Sequence, residues 1–167
     1  MAGAVAGADL NSHRRDFRLK ALVLVALALM LGACGTTDDE YRVALLGTWG
    51  SREVGQDDVI VETQTTLLPG GRVNWSGELR LPVPPTFYVP RGVSHEVKNG
   101  RLIFYFNASG AWFVRDGFLY TQVEDSTLPS MMPIGFSSAW QLKEVSDKEL
   151  VYVSAAHGRT RVEYRRN

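Results

Sequence analysis

Two hydrophobic patterns divide the chain. Residues 21–31 form an unbroken apolar block, "ALVLVALALML". Beyond residue 41 no such block recurs, and apolar residues alternate with polar ones instead. In "DVIVETQTTLL", residues 58–68, Val59, Val61, Thr63, Thr65 and Leu67 share one face. That period of two is the mark of a half-buried strand. Val73, Trp75, Leu79 and Leu81 do the same in the next run, where Gly77 is a candidate bulge. Leu102, Phe104 and Phe106 follow in "RLIFYFN", and then "AWFVR", "FLYTQVE", "SAWQLKEV", "LVYVS" and "TRVEYR". Turn signals separate the runs: Pro69-Gly70-Gly71, Asn99-Gly100, Ser109-Gly110, Asp116-Gly117, Ser146-Asp147-Lys148 and His157-Gly158. Asn-Gly and Asp-Gly suit two-residue hairpins, whose central residues need positive φ. No convincing helical period occurs after residue 41, although Ala44–Leu46 could make one turn ahead of the first strand. The pattern predicts an all-β domain of about eight to ten short antiparallel strands. Tight consecutive turns pair neighbours with neighbours, and closure removes exposed edges. The expected fold is therefore a small up-and-down barrel.

The apolar block has a different meaning. Arg14, Arg15, Arg18 and Lys20 precede it. As a helix of eleven residues it would reach only about 16 Å, half of a bilayer core. It suits the central region of an export signal. The block ends in Leu31-Gly32-Ala33-Cys34, with the only cysteine of the chain. This sequence resembles the lipobox of bacterial lipoproteins, although Gly32 stands where Ala, Ser or Thr is commoner. The resemblance implies cleavage before Cys34 and attachment of a diacylglycerol to its thiol. Two or three acyl chains, at about 0.8 kcal/mol per buried CH₂, would hold the protein on a membrane. Gly35 follows the cysteine, not aspartate. In a Gram-negative cell the resemblance then implies the outer membrane, facing the periplasm. A single cysteine also excludes an internal disulfide. The expected organisation is a signal peptide over 1–33, a lipidated and polar tether over 34–43 and a barrel over 44–167.

Charge narrows the function classes. The 167 residues carry 18 Lys/Arg and 18 Asp/Glu. Losing residues 1–33 removes four of the former and two of the latter, leaving 134 residues with 14 against 16. There is no basic excess to meet nucleic acid. Composition is that of an ordinary globular domain.

The strand pattern leads to a second resemblance. Gly47-x-Trp49 opens the first strand, and Arg159, Arg161, Arg165 and Arg166 cluster at the last. Gly-x-Trp resembles the start of lipocalins and related barrels. In those proteins an arginine near the end packs over the tryptophan and closes the barrel floor. The resemblance implies that structural role for Gly47, Trp49, Arg161 and Arg165. The runs Leu67–Arg72 and Ala111–Leu119 look like the small lipocalin-like domains of bacterial lipoproteins. The Thr-Asp-Tyr motif of classical lipocalins is absent.

Candidate chemistry is sparse. His95 and His157 sit before or in turns and lack the clustered partners of a zinc site. Asp57-Asp58 reads as a solvated hairpin tip. Ser137-Ser138 lack a nucleophile-elbow setting. Glu62, Glu78 and Glu163 are expected to face solvent. No cofactor is expected. Two loops exceed hairpin length. "LPVPPTFYVPRG", residues 81–92, carries Phe87 and Tyr88, and "DSTLPSMMPIGF", residues 125–136, carries Met131 and Met132. These four are candidate ligand or partner contacts, because methionine adapts to apolar surfaces. The alternative is that both loops plug an open barrel end. The sequence therefore leads to an expected non-catalytic binding domain for a small apolar ligand. The other reading is a filled barrel that meets an envelope protein through its loops.

Overall fold

A computed structural model describes residues 36–84, 86, 89 and 91–166. The lipobox residues Leu31, Gly32, Ala33 and Cys34, and the loop residues Phe87 and Tyr88, lie outside the described residues. Among the described residues one helix, α1 (Asp38–Leu45), precedes nine strands: β1 (Gly47–Val54), β2 (Ile60–Leu68), β3 (Arg72–Pro82), β4 (His95–Lys98), β5 (Arg101–Arg115), β6 (Phe118–Ser126), β7 (Ser137–Val145), β8 (Glu149–Ser154) and β9 (Thr160–Arg166).

The helix begins where the sequence suggested a tether. Thr37 caps it: its hydroxyl accepts from the Glu40 N–H, and the Glu40 carboxylate accepts from the Thr37 N–H at 2.7 Å. This reciprocal capping box satisfies two free donors of the first turn. Asp38, Asp39 and Glu40 also place negative charge at the positive end of the helix dipole. The polar run "TTDDEY" thus starts a helix, and its acidity is the reason. The single turn expected at Ala44–Leu46 is the end of that helix.

All strand pairings are antiparallel, and the sheet closes. Sheet order runs β3-β2-β1-β9-β8-β7-β6-β5-β4, with β3 also pairing β5. Eight strands therefore form a meander barrel, and β4 lies alongside the first residues of β5. The 15-residue β5 carries this arrangement. One of its edges pairs β3 from Arg101 to Ala111. Its other edge pairs β4 at Arg101–Phe104 and β6 from Ala108 onward.

Ser109-Gly110 is not a turn. It lies inside β5, where the register with β6 slips between these two residues. The continuous partner strand β3 holds both halves together, so the small residues make a bulge. Gly77, in contrast, is no bulge, because β3 keeps register with both neighbours through it. A Cβ there would collide with the Glu62 carbonyl oxygen and come within 2.8 Å of the Phe106 ring. The glycine makes room for a large interior aromatic.

Asn99-Gly100 and Asp116-Gly117 do form two-residue hairpins, with φ of 52° and 72°, and 54° and 73°. α1 lies over one barrel end. Asp38 accepts the N–H groups of Asp116 at 2.8 Å and Gly117 at 3.0 Å, and Arg42 donates to the Val114 carbonyl. Beneath the helix a dense layer packs Leu45, Trp49, Leu67, Val73, Trp112, Val114, Leu119, Leu142, Leu150 and Tyr152. Among the described residues no helix is long and apolar enough to cross a membrane.

Candidate functional site

At the helix-covered end, Trp49 is completely buried and its indole N–H donates to the Leu45 carbonyl at 2.7 Å. Arg165 lies over the ring, with its guanidinium carbon 4.2 Å from the centroid. The same guanidinium donates to the carbonyls of Ala44 and Leu46, both at 2.8 Å. Those carbonyls lie at the C-terminal end of α1, where acceptors lack helical partners and the dipole is negative. Gly47 has φ of 122°, and a Cβ there would stand 2.7 Å from Arg165 Nη1. Gly47, Trp49 and Arg165 therefore form one structural unit. Arg161 is not part of it. It is four residues back along β9, about 13 Å at strand rise, and faces the barrel interior.

That interior holds the site the sequence did not suggest. Odd positions of β9 point inward, so Arg161, Glu163 and Arg165 share one face. Glu163 is 1% exposed. Tyr152 of β8 donates to Glu163 Oε1 at 2.6 Å. Arg161 Nε lies 3.3 Å from the same oxygen and 3.3 Å from Glu53 Oε1. Arg161 Nη2 donates to Ser51 and Thr63, both at 2.8 Å. Arg159 reaches the outer oxygen of Glu53 at 2.7 Å. Among the described residues Glu163 Oε2 receives no hydrogen bond. Burial pushes the Glu163 carboxyl above the usual carboxylate range, and this outweighs the opposing pull of Arg161 and the Tyr152 hydroxyl. Burial, and next the Glu163 charge, pushes the Tyr152 phenol well above its ordinary value.

This polar cluster forms one wall of a cavity of about 130 Å³. Trp75, Phe106, Trp140 and Tyr152 supply aromatic wall, and Thr63, Thr65 and Thr121 line it as well. Met132 and Phe136 reach it from the loop between β6 and β7. Leu128 of that loop is buried, and Val123 and Phe136 bond through their backbones. The loop is thereby held against the barrel mouth. Met131 is half-buried.

The remaining candidates stay apart. His95 and His157 are exposed. Asp57 and Asp58 are exposed as well, at positive φ. Glu62 and Glu78 lie on the outer face beside Arg52 and Arg80. Ser137 is exposed, while the Ser138 hydroxyl serves Thr121 and the Trp140 indole N–H. No cluster of three or more potential metal ligands occurs among the described residues. Of the three glutamates expected in solvent, Glu163 is the exception. The sequence carried no signal for it: Arg161, Glu163 and Arg165 alternate with Val162 and Tyr164 in the pattern of a solvent-facing edge, and only the pairing of β9 with β1 and β8 turns them inward.

The chain matches no family model and none of the curated proteins it is compared with.

Proposed function

We propose that this chain is an envelope lipoprotein, lipid-anchored through Cys34, whose lipocalin-like barrel binds a small apolar molecule without transforming it. In a Gram-negative cell it would hang from the outer membrane into the periplasm. The anchor reading rests on the order of basic cluster, short apolar block, small residues and cysteine. The binding reading rests on one observation, the interior cavity walled by aromatic side chains. Binding sites are concave and mostly apolar, with a few convergent polar groups. At about 130 Å³ the cavity accommodates a molecule of roughly one ring, since an apolar cavity of about 150 Å³ takes benzene. A long acyl chain would require displacement of Met132 and Phe136.

The alternative, a barrel that meets an envelope protein, draws on exposed apolar side chains. Ile134 and Phe136 are 59% and 55% exposed on the β6–β7 loop. Native purification followed by mass spectrometry separates the two readings. A small molecule carried with the protein, and lost when Met131 and Met132 are both replaced by serine, supports the first. An empty barrel that co-purifies with an envelope protein overturns it. For the anchor, Cys34→Ala is expected to leave an unprocessed precursor that takes up no palmitate. Normal maturation would overturn that reading.

A further inference from the structure

The ligand class follows from the polar wall, on the premise that the barrel binds a small molecule. We propose that the cavity selects a neutral single-ring compound carrying one hydrogen-bond donor, and that Glu163 Oε2 accepts that donor.

Size sets the first term. The cavity has room for about one ring. Its walls set the second: Trp75, Phe106, Trp140 and Tyr152 offer ring faces and edges to a flat apolar body. Their arrangement is already anchored, because Trp140 meets Tyr152 edge-on at 4.8 Å between centroids.

Charge sets the third term. Arg161 stands between two carboxylates, Glu53 and Glu163, at 3.3 Å from each. Arg159 lies beyond on the far side of Glu53. Two cations and two anions leave the cluster without formal surplus. A ligand carboxylate entering the cavity would face the Glu163 carboxylate, beside an Arg161 whose charge two carboxylates already share, although its buried Nε makes no hydrogen bond. A ligand ammonium would meet Arg161 within contact distance of Glu163. Each charged head group would give up its hydration for a site that already balances its own charges. A neutral hydroxyl pays far less and still finds a partner.

The partner is specific. Tyr152 donates to Glu163 Oε1, and Arg161 Nε stands 3.3 Å from the same oxygen without a hydrogen bond; among the described residues no donor bonds Oε2, and the side chain, 2% exposed, lines the cavity. Oε2 retains contact with the cavity space, so a ligand donor entering there would give it a partner. A site built this way discriminates strongly against the analogue that lacks the donor.

The experiment uses the purified full-length chain and four probes of matched size: 4-ethylphenol, ethylbenzene, benzoate and benzylamine. Binding is read by quenching of tryptophan fluorescence and by calorimetry. The expected order places 4-ethylphenol first, with roughly tenfold or greater advantage over each of the others. Replacement of Glu163 by alanine, or by leucine if the alanine variant does not fold, should erase the advantage of 4-ethylphenol over ethylbenzene. Equal binding of ethylbenzene and 4-ethylphenol to the unmodified protein overturns the donor proposal but leaves the binding reading intact. Tightest binding of benzoate or benzylamine overturns the charge argument. If no probe binds at millimolar concentration, the ring-sized cavity reading itself falls.

Discussion

The guanidinium of Arg165 covers the buried indole of Trp49 at 4.2 Å and holds the last carbonyls of α1 in the same grip. One side chain thereby joins the first strand, the last strand and the helix. Among the described residues β1 and β9 pair over three positions, Thr48–Arg166, Trp49–Arg165 and Gly50–Tyr164. The barrel seam is short, so this contact at its middle matters more than an average surface contact.

Replacement of Arg165 by alanine should cost about 2–4 kcal/mol, from the lost cation–π contact and two unpaired carbonyls. Lysine should recover only part of it, since it lacks the planar fork that spans both carbonyls. Urea unfolding of the two variants measures both values. A loss under about 0.5 kcal/mol for the alanine variant would contradict the account.

Gly47→Ala should destabilise by about 1–3 kcal/mol. The φ of 122° disfavours any side chain, and the new Cβ would press on Arg165 Nη1. In the double variant with Arg165→Ala the collision disappears while the backbone strain stays. The two losses should therefore add to less than their sum, and a double-mutant cycle reads the difference.

Glu163 makes stability depend on pH in a defined direction. Its folded carboxyl titrates above the ordinary range because it is buried. The unfolded chain therefore releases its proton first as pH rises. The contribution is complete below the ordinary glutamate range and declines as pH climbs through the raised folded value. Glu163→Gln should remove that decline, which unfolding free energies at a series of pH values between 4 and 8 would detect. An identical slope in both proteins would refute the assignment.

Asp38 works in the opposite sense. The Gly117 and Asp116 N–H groups hold its carboxyl below the usual range. Its contribution is present above the ordinary aspartate range and declines as pH falls through the lowered folded value. Asp38→Ala should loosen α1 from the β5–β6 hairpin. Faster hydrogen exchange at the Asp116 and Gly117 amides, with β2 and β3 unchanged, is the expected signature.

Several parts of this architecture are legible in the amino-acid sequence. Thr63, Thr65 and Leu67 alternate with Glu62, Gln64 and Thr66, and the former three do line the interior. Asn99-Gly100 and Asp116-Gly117 carry hairpins because their φ preference is local. The helix at Asp38 was less visible: eight residues make barely two turns, and its capping box sits in a run that reads as solvent-loving. Ser109-Gly110 misled because a turn and a bulge use the same small residues. Only the partner strand distinguishes them, and their partners on β3, Asn74 and Val73, are remote in sequence.

The amino-acid order by itself determined the strand period, the turns and the alternation of faces, since these follow from Cβ direction and backbone preference within a few residues. Tertiary closure decided which inward positions met dense apolar packing and which met the cavity. Trp49 and Arg165 come together only because β1 and β9 join the ends of the meander. Glu163 is buried beside Arg161 for the same reason: a ring of strands has an inside, where Glu163 is balanced by Arg161 two residues away and Arg161 in turn by Glu53 of β1, distant in sequence.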